Sequence, residues 1–308
     1  MSLRKLSDIF SLEEVLTLDM AVLFALAALA AGGPAGTKGI LATNCVIVAC
    51  IVSAAVLCRN SGKRALTVFR DWYVLVFLIT IYLENRTLIP LVNPREYDAL
   101  VMAADRLVFL GEDPTVLLEK VMHPLLTEFL QLVYASFYLL PLTLCMALYA
   151  SRTTRNEFHV AASTILMGFY LSYLGYYLMP VAGPRFFMEG LHTKELEGLW
   201  TFEFVREALA RAEGRMLDCM PSGHALVSVL TTLLAYRYVR SFAPWSLVWT
   251  VLLLFSTVYL RYHYVLDLAV GSMLGILVFT IGPRLAIAYQ EGSGSRRCVA
   301  GGLEIREG

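Results

Sequence analysis

The sequence is poor in charge, and the charge that it carries is balanced. Only 16% of its 308 residues are charged, against about 25% in a typical soluble domain. Its 25 Lys and Arg residues equal its 25 Asp and Glu residues in number, so no basic surplus indicates a nucleic acid as a partner.

Cysteine is scarce and follows no ligand pattern. None of the 6 cysteines stands in a CxxC pair, so neither a metal site nor a disulfide framework is indicated. No carboxylate cluster accompanies the candidate catalytic histidines described below, as metal-assisted chemistry would require. We therefore expect no metal and no cofactor.

Long apolar runs are what the sequence has in abundance. Hydrophobic residues make up 58% of the chain, and a membrane span needs about 20 of them in succession. The runs predict an all-α, polytopic membrane helix bundle of about eight transmembrane helices. The first six are expected at residues 15–31, 39–58, 72–92, 125–150, 158–182 and 221–240.

The last apolar run, residues 244–289, is too long for one span. As one helix it would measure about 69 Å, whereas the hydrocarbon core is about 30 Å thick. The chain must therefore double back, and the polar residues Arg261 to His263 are the expected turn, although no Gly or Pro is present there.

Basic residues in short loops predict the orientation. With eight spans, they all fall on one side, which is therefore expected to be cytoplasmic, together with both termini; they are Arg4, Lys5, Arg59, Lys63, Arg64, Arg70, Arg152, Arg155, Arg237, Arg240, Arg284, Arg296 and Arg297. The candidate catalytic motifs lie on the opposite side. Three parts are predicted: two accessory helices in 1–70, a catalytic membrane domain in 71–290, and a disordered tail in 291–308.

The first motif is Pro221-Ser222-Gly223-His224, at the start of an apolar run. Pro is favoured in the first turn of a helix, where free backbone N–H groups and the helix dipole attract an anion. Ser222 and Gly223 are therefore candidate phosphate ligands, and His224 could protonate an oxygen that leaves phosphorus. The alternative is a helix cap beside a histidine that faces lipid headgroups.

The second motif pairs His263 with Asp267. Residues four apart share a helix face, and Asp267 would point back at His263. A carboxylate on one ring nitrogen fixes the tautomer and leaves the other nitrogen free to attack. The alternative is a buried ion pair that only closes the turn. Arg185 and Arg261 are candidate phosphate-binding cations, unless they only snorkel to headgroups.

These residues resemble the type 2 phosphatidic acid phosphatase superfamily, over roughly residues 70–282. Pro221 to His224 matches its second motif, and His263 with Asp267 matches the catalytic part of its third. The resemblance implies a six-helix catalytic core, with His263 as the nucleophile that forms a phosphohistidine, Asp267 as its orienting carboxylate and His224 as the general acid. Ser222, Gly223 and Arg185 would bind the phosphoryl oxygens.

Two motifs depart from the phosphatase pattern. Leu178 and Phe186 stand where its first motif has Lys and Pro, and Thr257 stands where its third has Arg. Arg261 could replace that charge if the seventh helix persists that far. These departures resemble the inositol phosphorylceramide synthase branch, as Asp105 to Gly111 also does.

The leading hypothesis is a lipid phosphotransferase that moves a phosphoryl or phospho-headgroup group to a polyol or lipid hydroxyl. A phosphatase that uses water is the first alternative. A non-catalytic transporter or degenerate member of the fold is the second, because Glu84, Asn85, Arg86, Glu128 and Gln131 lie at or within spans. Membrane lipids are the other expected partners.

Overall fold

The computed structural model describes residues 9–32, 35–61, 63–150 and 154–292. Within these residues the chain is helical and forms no β-strand, so the prediction of an all-α polytopic bundle is confirmed. Residues 291–292 of the predicted disordered tail belong to a helix that ends at Gly292, and the rest of that tail lies outside the described part. The side chains of six basic residues used for orientation also lie outside it: Arg4, Lys5, Arg59, Arg152, Arg296 and Arg297.

The helices are numbered along the chain. They are α1 (Leu12–Ala30), α2 (Ala35–Ser61), α3 (Arg64–Trp72), α4 (Val74–Val92), α5 (Asp98–Val108), α6 (Pro114–Leu117), α7 (Pro124–Ala135), α8 (Leu139–Ala150), α9 (Arg155–Leu178), α10 (Pro184–Phe187), α11 (Phe202–Glu213), α12 (Gly223–Tyr238), α13 (Ala243–Tyr259) and α14 (Val265–Gly292).

Four helical segments of the described chain are long and apolar enough to span a membrane: Thr37–Cys58, Arg64–Val92, Arg155–Leu178 and Val265–Gly292. A fifth is possible if α7 and α8, which meet at 47°, together make one broken span. The helix expected at 125–150 is therefore bent rather than continuous. All the expected helices exist, but a count of eight crossings stays a prediction.

The described chain divides into two compact units. One contains the residues up to Tyr82 and those from Arg284 onward, and the other is Leu83–Pro283. All of the candidate catalytic residues belong to the second unit. The predicted three-part division, with boundaries after residues 70 and 290, remains a prediction.

The turn between α13 and α14 is built without Gly or Pro. The helix ends at Tyr259, and Arg261 takes a left-handed conformation with φ of 65°, which is uncommon for a residue with a side chain. The Tyr262 and His263 amides both donate to the Thr257 carbonyl, at 2.8 and 3.1 Å, and so close the end of the helix. The helix α13, which is the seventh predicted span, thus stops before Arg261.

Two glycines bring α12 and α14 into close contact. A Cβ on Gly271 would lie 2.4 Å from the Ser222 carbonyl oxygen, and one on Gly275 would lie 2.6 Å from that of Leu226. Glycines four residues apart on a membrane helix permit such backbone approach. This contact fixes the helix that carries His224 against the helix that carries Asp267.

Candidate active site

His224 and His263 meet at the N-terminal ends of α12 and α14. The His224 Nδ1 atom lies 3.2 Å from His263 Nε2, and the His263 Nδ1 atom lies 3.3 Å from Asp267 Oδ2. His263 and Asp267 are both buried. Residues that are 39 positions apart in sequence therefore form one continuous chain of hydrogen-bonding groups.

This chain of contacts assigns the ring protons. An ionised Asp267 accepts only, so His263 Nδ1 must donate to it. A neutral His263 then has its lone pair on Nε2, and the contact with His224 requires that His224 Nδ1 donates. The nitrogen of His263 that faces His224 therefore carries the free lone pair of the ring.

Asp267 reaches His263 through a helix cap. His263 lies before α14, and Asp267 is the third residue of that helix. Its Oδ2 atom also accepts the Tyr264 amide at 3.0 Å, as the acidic residue of a capping box does. The predicted pairing is present in the structure, but it arises from the cap and not from two positions on one helix face.

Aromatic rings surround His224. The Tyr134 and Phe137 ring centroids lie 4.8 and 4.5 Å from the imidazole centroid. Tyr134 in turn stacks on Tyr262 at 4.2 Å. The bend between α7 and α8 places Phe137 here, since it lies between the two helices. Sequence reasoning did not identify these rings as part of the site.

Arg185 lies at the other end of this aromatic stack. Its guanidinium carbon is 5.6 Å from the Tyr262 ring centroid and 5.5 Å from that of Phe186. Among the described residues no carboxylate contacts this guanidinium, so its charge can bind an anion. Its backbone amide donates to the Arg261 carbonyl at 2.8 Å, which joins the two loops of the site.

Ser222 and Gly223 form the start of α12, with one difference from the prediction. Ser222 is the N-cap, and its hydroxyl accepts the Ala225 amide; Pro221 therefore precedes the helix. The Ser222 N–H donates to the Asp267 carbonyl at 3.1 Å and so is not free for an anion. Gly223 is the first helical residue, where an N–H has no intrahelical acceptor.

Arg261 has a different environment from that predicted. Its Nη2 atom lies 3.0 Å from Glu119 Oε1 and 2.6 Å from the Lys194 carbonyl oxygen. The guanidinium therefore neutralises Glu119 and binds the 192–202 loop at Lys194. A phosphate-binding role for Arg261 stays a prediction.

Four buried carboxylates that hold loops were not identified as site residues from the sequence. Asp98 and Asp105 lie on α5, Glu119 lies before α7, and Glu128 lies on α7. Glu128 accepts the amides of residues 199 to 202 and the Thr201 hydroxyl. This carboxylate anchors a loop, which is the bonding role expected of a buried acid in a packed bundle.

One group of side chains in the described part of the chain has ligand atoms close enough to hold a metal. The Cys219, His263 and Asp267 ligand atoms lie within 4.8 Å of one another. The Cys219 thiol contacts the Tyr262 carbonyl at 3.2 Å, and the other two residues contact each other. We assign no metal to them.

Comparison with known proteins places these features in a family. The sequence profile described as the PAP2 superfamily matches residues 99–281. A PA-phosphatase related-family protein of Dictyostelium discoideum is 25% identical over 179 residues, which are 52% of this chain and 32% of that relative. The chain thus covers about a third of that relative's length. No solved structure matches the chain.

Proposed function

The chain belongs to the PAP2 superfamily, and we propose that it is a membrane-embedded lipid phosphotransferase that works through a phosphohistidine at His263. One observation carries the proposal: His263 has Asp267 on one ring nitrogen and His224 beside the other. In the proposed mechanism His263 is the nucleophile, Asp267 is its orienting carboxylate and His224 is the proton donor.

The reaction has two half-steps. His263 Nε2 attacks phosphorus, the bond from phosphorus to the leaving oxygen breaks, and protonated His224 gives that oxygen a proton. In the second step His224 takes the proton from an acceptor hydroxyl, whose oxygen attacks phosphorus and breaks the bond to Nε2. Because Nε2 cannot attack while it accepts a hydrogen bond from His224, substrate binding must separate the two rings.

Arg185 and the Gly223 amide are proposed to bind the phosphoryl oxygens. The guanidinium has no carboxylate partner in the described chain, and the amide stands at a helix start. Fixed positive groups there stabilise the charge that builds up on those oxygens. Ser222 would contribute through its hydroxyl alone, since its amide is already bound.

The acceptor is proposed to be a polyol or lipid hydroxyl, as in the inositol phosphorylceramide synthase branch. In support, Leu178 and Phe186 replace the Lys and Pro of the phosphatase first motif, so a cation of that motif is missing. Water is the second candidate acceptor, because the Dictyostelium relative is named for phosphatidic acid phosphatases.

Radiolabelled lipid phosphate tests the nucleophile. The purified protein should acquire acid-labile label at His263, and His263→Ala should not. His123→Ala, which removes an exposed histidine outside the pair, should label normally. Label retained by His263→Ala would refute the assignment. Mass spectrometry of the products, with and without polyols, then separates transfer to a hydroxyl from release of free phosphate.

The site is proposed to face away from the cytoplasm, with both termini cytoplasmic. The support is the distribution of basic residues in the loops. A reporter enzyme that works only in the cytoplasm should be active when it is fused to the C-terminus. A cysteine introduced at Glu189, which is exposed and near Arg185 in sequence, should react with an impermeant thiol reagent in intact cells. Opposite labelling would reverse the orientation.

A further inference from the structure

The helix α5 is short and amphipathic, and two of its acidic side chains lie on the buried face instead of the exposed one. Asp98 and Asp105 are 1% and 3% exposed, whereas the apolar Leu107 and Val108 are 82% and 69% exposed. The two aspartates lie two turns apart and so occupy one face of the helix. A carboxylate is costly to bury unless donors satisfy it, so its donors indicate what it does.

Asp98 joins the two loops that carry Arg185 and His263. Its Oδ2 atom accepts the Ala182 amide at 2.9 Å, and its Oδ1 atom accepts the Gly183 amide at 2.8 Å. The Tyr264 hydroxyl donates to the same Oδ1 at 3.2 Å. Gly183 has φ of 94°, so these bonds hold the chain in a left-handed conformation two residues before Arg185.

Asp105 caps α14 from a distant part of the chain. Its Oδ2 and Oδ1 atoms accept the amides of Val265 and Leu266, each at 2.8 Å. These are the first two residues of α14, whose N–H groups have no partner within the helix. The negative charge also lies at the positive end of the helix dipole. The next residue is Asp267.

The start of α14 is therefore held by two carboxylates with different tasks. Asp267 accepts the Tyr264 amide and orients His263, while Asp105 fixes the turn from which Asp267 projects. Carboxylate-to-amide bonds are short and directional, and a displacement of about 1 Å at a reacting group can cost about 100-fold in rate.

We propose that Asp98 and Asp105 are positioning residues, which set the spacing of Arg185 and of the His263–Asp267 pair from one rigid helix. The proposal rests on the phosphoryl chemistry proposed above and deepens it. Asp98 acts on the phosphate-binding side of the site through Gly183. Asp105 acts on the nucleophile through Asp267.

Substitution by asparagine tests each residue, because an amide NH2 then faces a backbone N–H donor. Asp98→Asn should raise KM for the lipid phosphate about 10-fold or more and lower kcat less. Asp105→Asn should lower kcat about 10- to 100-fold and change KM less. Asp105→Glu, which keeps the charge, should recover part of kcat. If both variants lowered kcat by the same factor and raised KM by the same factor, the proposal would be overturned.

Asp113→Asn is the matched control. Asp113 follows the same helix and pairs with Arg106 at 2.8 Å, but that arginine is 38% exposed, and neither residue contacts the site. Its substitution should leave kcat and KM unchanged. A thermal unfolding scan of every variant reports folding, and full turnover per folded molecule of Asp98→Asn and Asp105→Asn would also overturn the proposal.

A readout independent of turnover separates this inference from the proposed function. The rate at which diethyl pyrocarbonate modifies His263 at one fixed pH, located by mass spectrometry, reports how its ring is held between Asp267 and His224. Asp105→Asn should change this rate, and Asp113→Asn should not. If the wild-type protein turned over no lipid phosphate, the change would still support positioning; an unchanged rate would refute positioning whatever the turnover.

Discussion

Both units of the chain bury carboxylates, and Glu14 and Asp98 show two different sets of bonds that satisfy them. Glu14, in the first unit, is fully buried and receives two bonds from Arg70, at 2.7 and 2.6 Å, and one from Tyr73 at 2.9 Å. Asp98, in the second, is held by backbone amides and a tyrosine hydroxyl.

The difference lies in what each carboxylate fixes. The Glu14–Arg70 pair joins side chains of α1 and α3, and in addition Glu14 closes a capping box with Ser11. This ion pair neutralises the buried charge of Glu14 and connects α1 to α3. A carboxylate that binds backbone amides fixes main-chain conformation instead. Loss of one partner from the first arrangement leaves a buried charge unpaired and lowers stability, whereas the second arrangement fixes the loops from which the candidate site residues project.

The largest expected effect separates catalysis from stability. Asp267→Asn removes the charge that holds the proton on His263 Nδ1, so kcat should fall about 1000-fold or more. Glu14→Gln, the same chemical change in the first unit, should leave kcat per folded molecule unchanged. Steady-state phosphate transfer, normalised to folded protein, measures both. A comparable loss of kcat in Glu14→Gln would break the comparison between the units.

The second effect concerns stability. Glu14→Ala leaves the Arg70 charge without its partner, and breaking a buried ion pair from one side costs about 3–5 kcal/mol. The melting temperature in detergent should therefore drop, while KM stays constant. Glu203→Ala, which breaks an exposed pair with Arg206, is the control and should hardly change it, because exposed pairs contribute about 0–1 kcal/mol.

The third effect compares two arginines within the second unit. Arg185→Met removes a cation without a carboxylate partner, and a lost charge-assisted bond of about 1.5–3 kcal/mol should raise KM about 10- to 100-fold. Arg261→Met removes a cation already paired with Glu119, so its KM should rise less, while the 192–202 loop loosens. An equal rise in KM for both would support the predicted phosphate-binding role of Arg261.

The smallest effect is a pH dependence of the same loop. Burial, together with the charge of Arg261, lowers the pKa of His192 to about 4 from its ordinary 6.5. Burial alone would raise the pKa of Glu119, but hydrogen bonds from Thr193 and Lys194 and the charge of Arg261 offset it and lower that pKa. In both cases the opened loop binds protons more readily than the closed one.

The stability of the loop should therefore be complete above pH 6.5 and be lost as the pH falls toward 4. Hydrogen exchange of the Thr193 amide, which donates to Glu119, would measure the opening. His192→Gln should remove the part of the change that begins near pH 6.5. Protection of this amide that rises on acidification, after correction for the intrinsic pH dependence of exchange, would contradict both pKa shifts.

Local features of the site could be predicted from the sequence, and distant ones could not. The turn at Arg261 to His263 follows from the length of residues 244–289, because a membrane of fixed thickness forces the chain back. His263 and Asp267 are only four residues apart in sequence, so short-range spacing is enough to predict their pairing. The boundaries of α12 and α14 differ from the predicted ones because caps, rather than apolar runs, decide where a helix begins.

The carboxylates of α5 show why the rest could not be predicted. Nothing in the spacing of Asp98 and Asp105 indicates amides more than 80 and 150 residues away. On an amphipathic helix, acidic residues are expected on the exposed face. Here they lie on the buried face beside Val101, because their bonds to two loops outweigh the ordinary preference of a carboxylate for water.

The sequence by itself determined that this chain is a helical membrane protein, and it singled out the two imidazoles that the structure brings together, since hydropathy and short spacings are properties of neighbouring residues. Only the tertiary structure decided that Arg261 pairs with Glu119, that Tyr134 and Phe137 contact His224, and that the aspartates of α5 accept the amides of residues 182, 183, 265 and 266. Those facts depend on contacts between segments that are distant in sequence. Such contacts form only when the helices pack and the buried carboxylates accept hydrogen bonds from backbone amides of other segments.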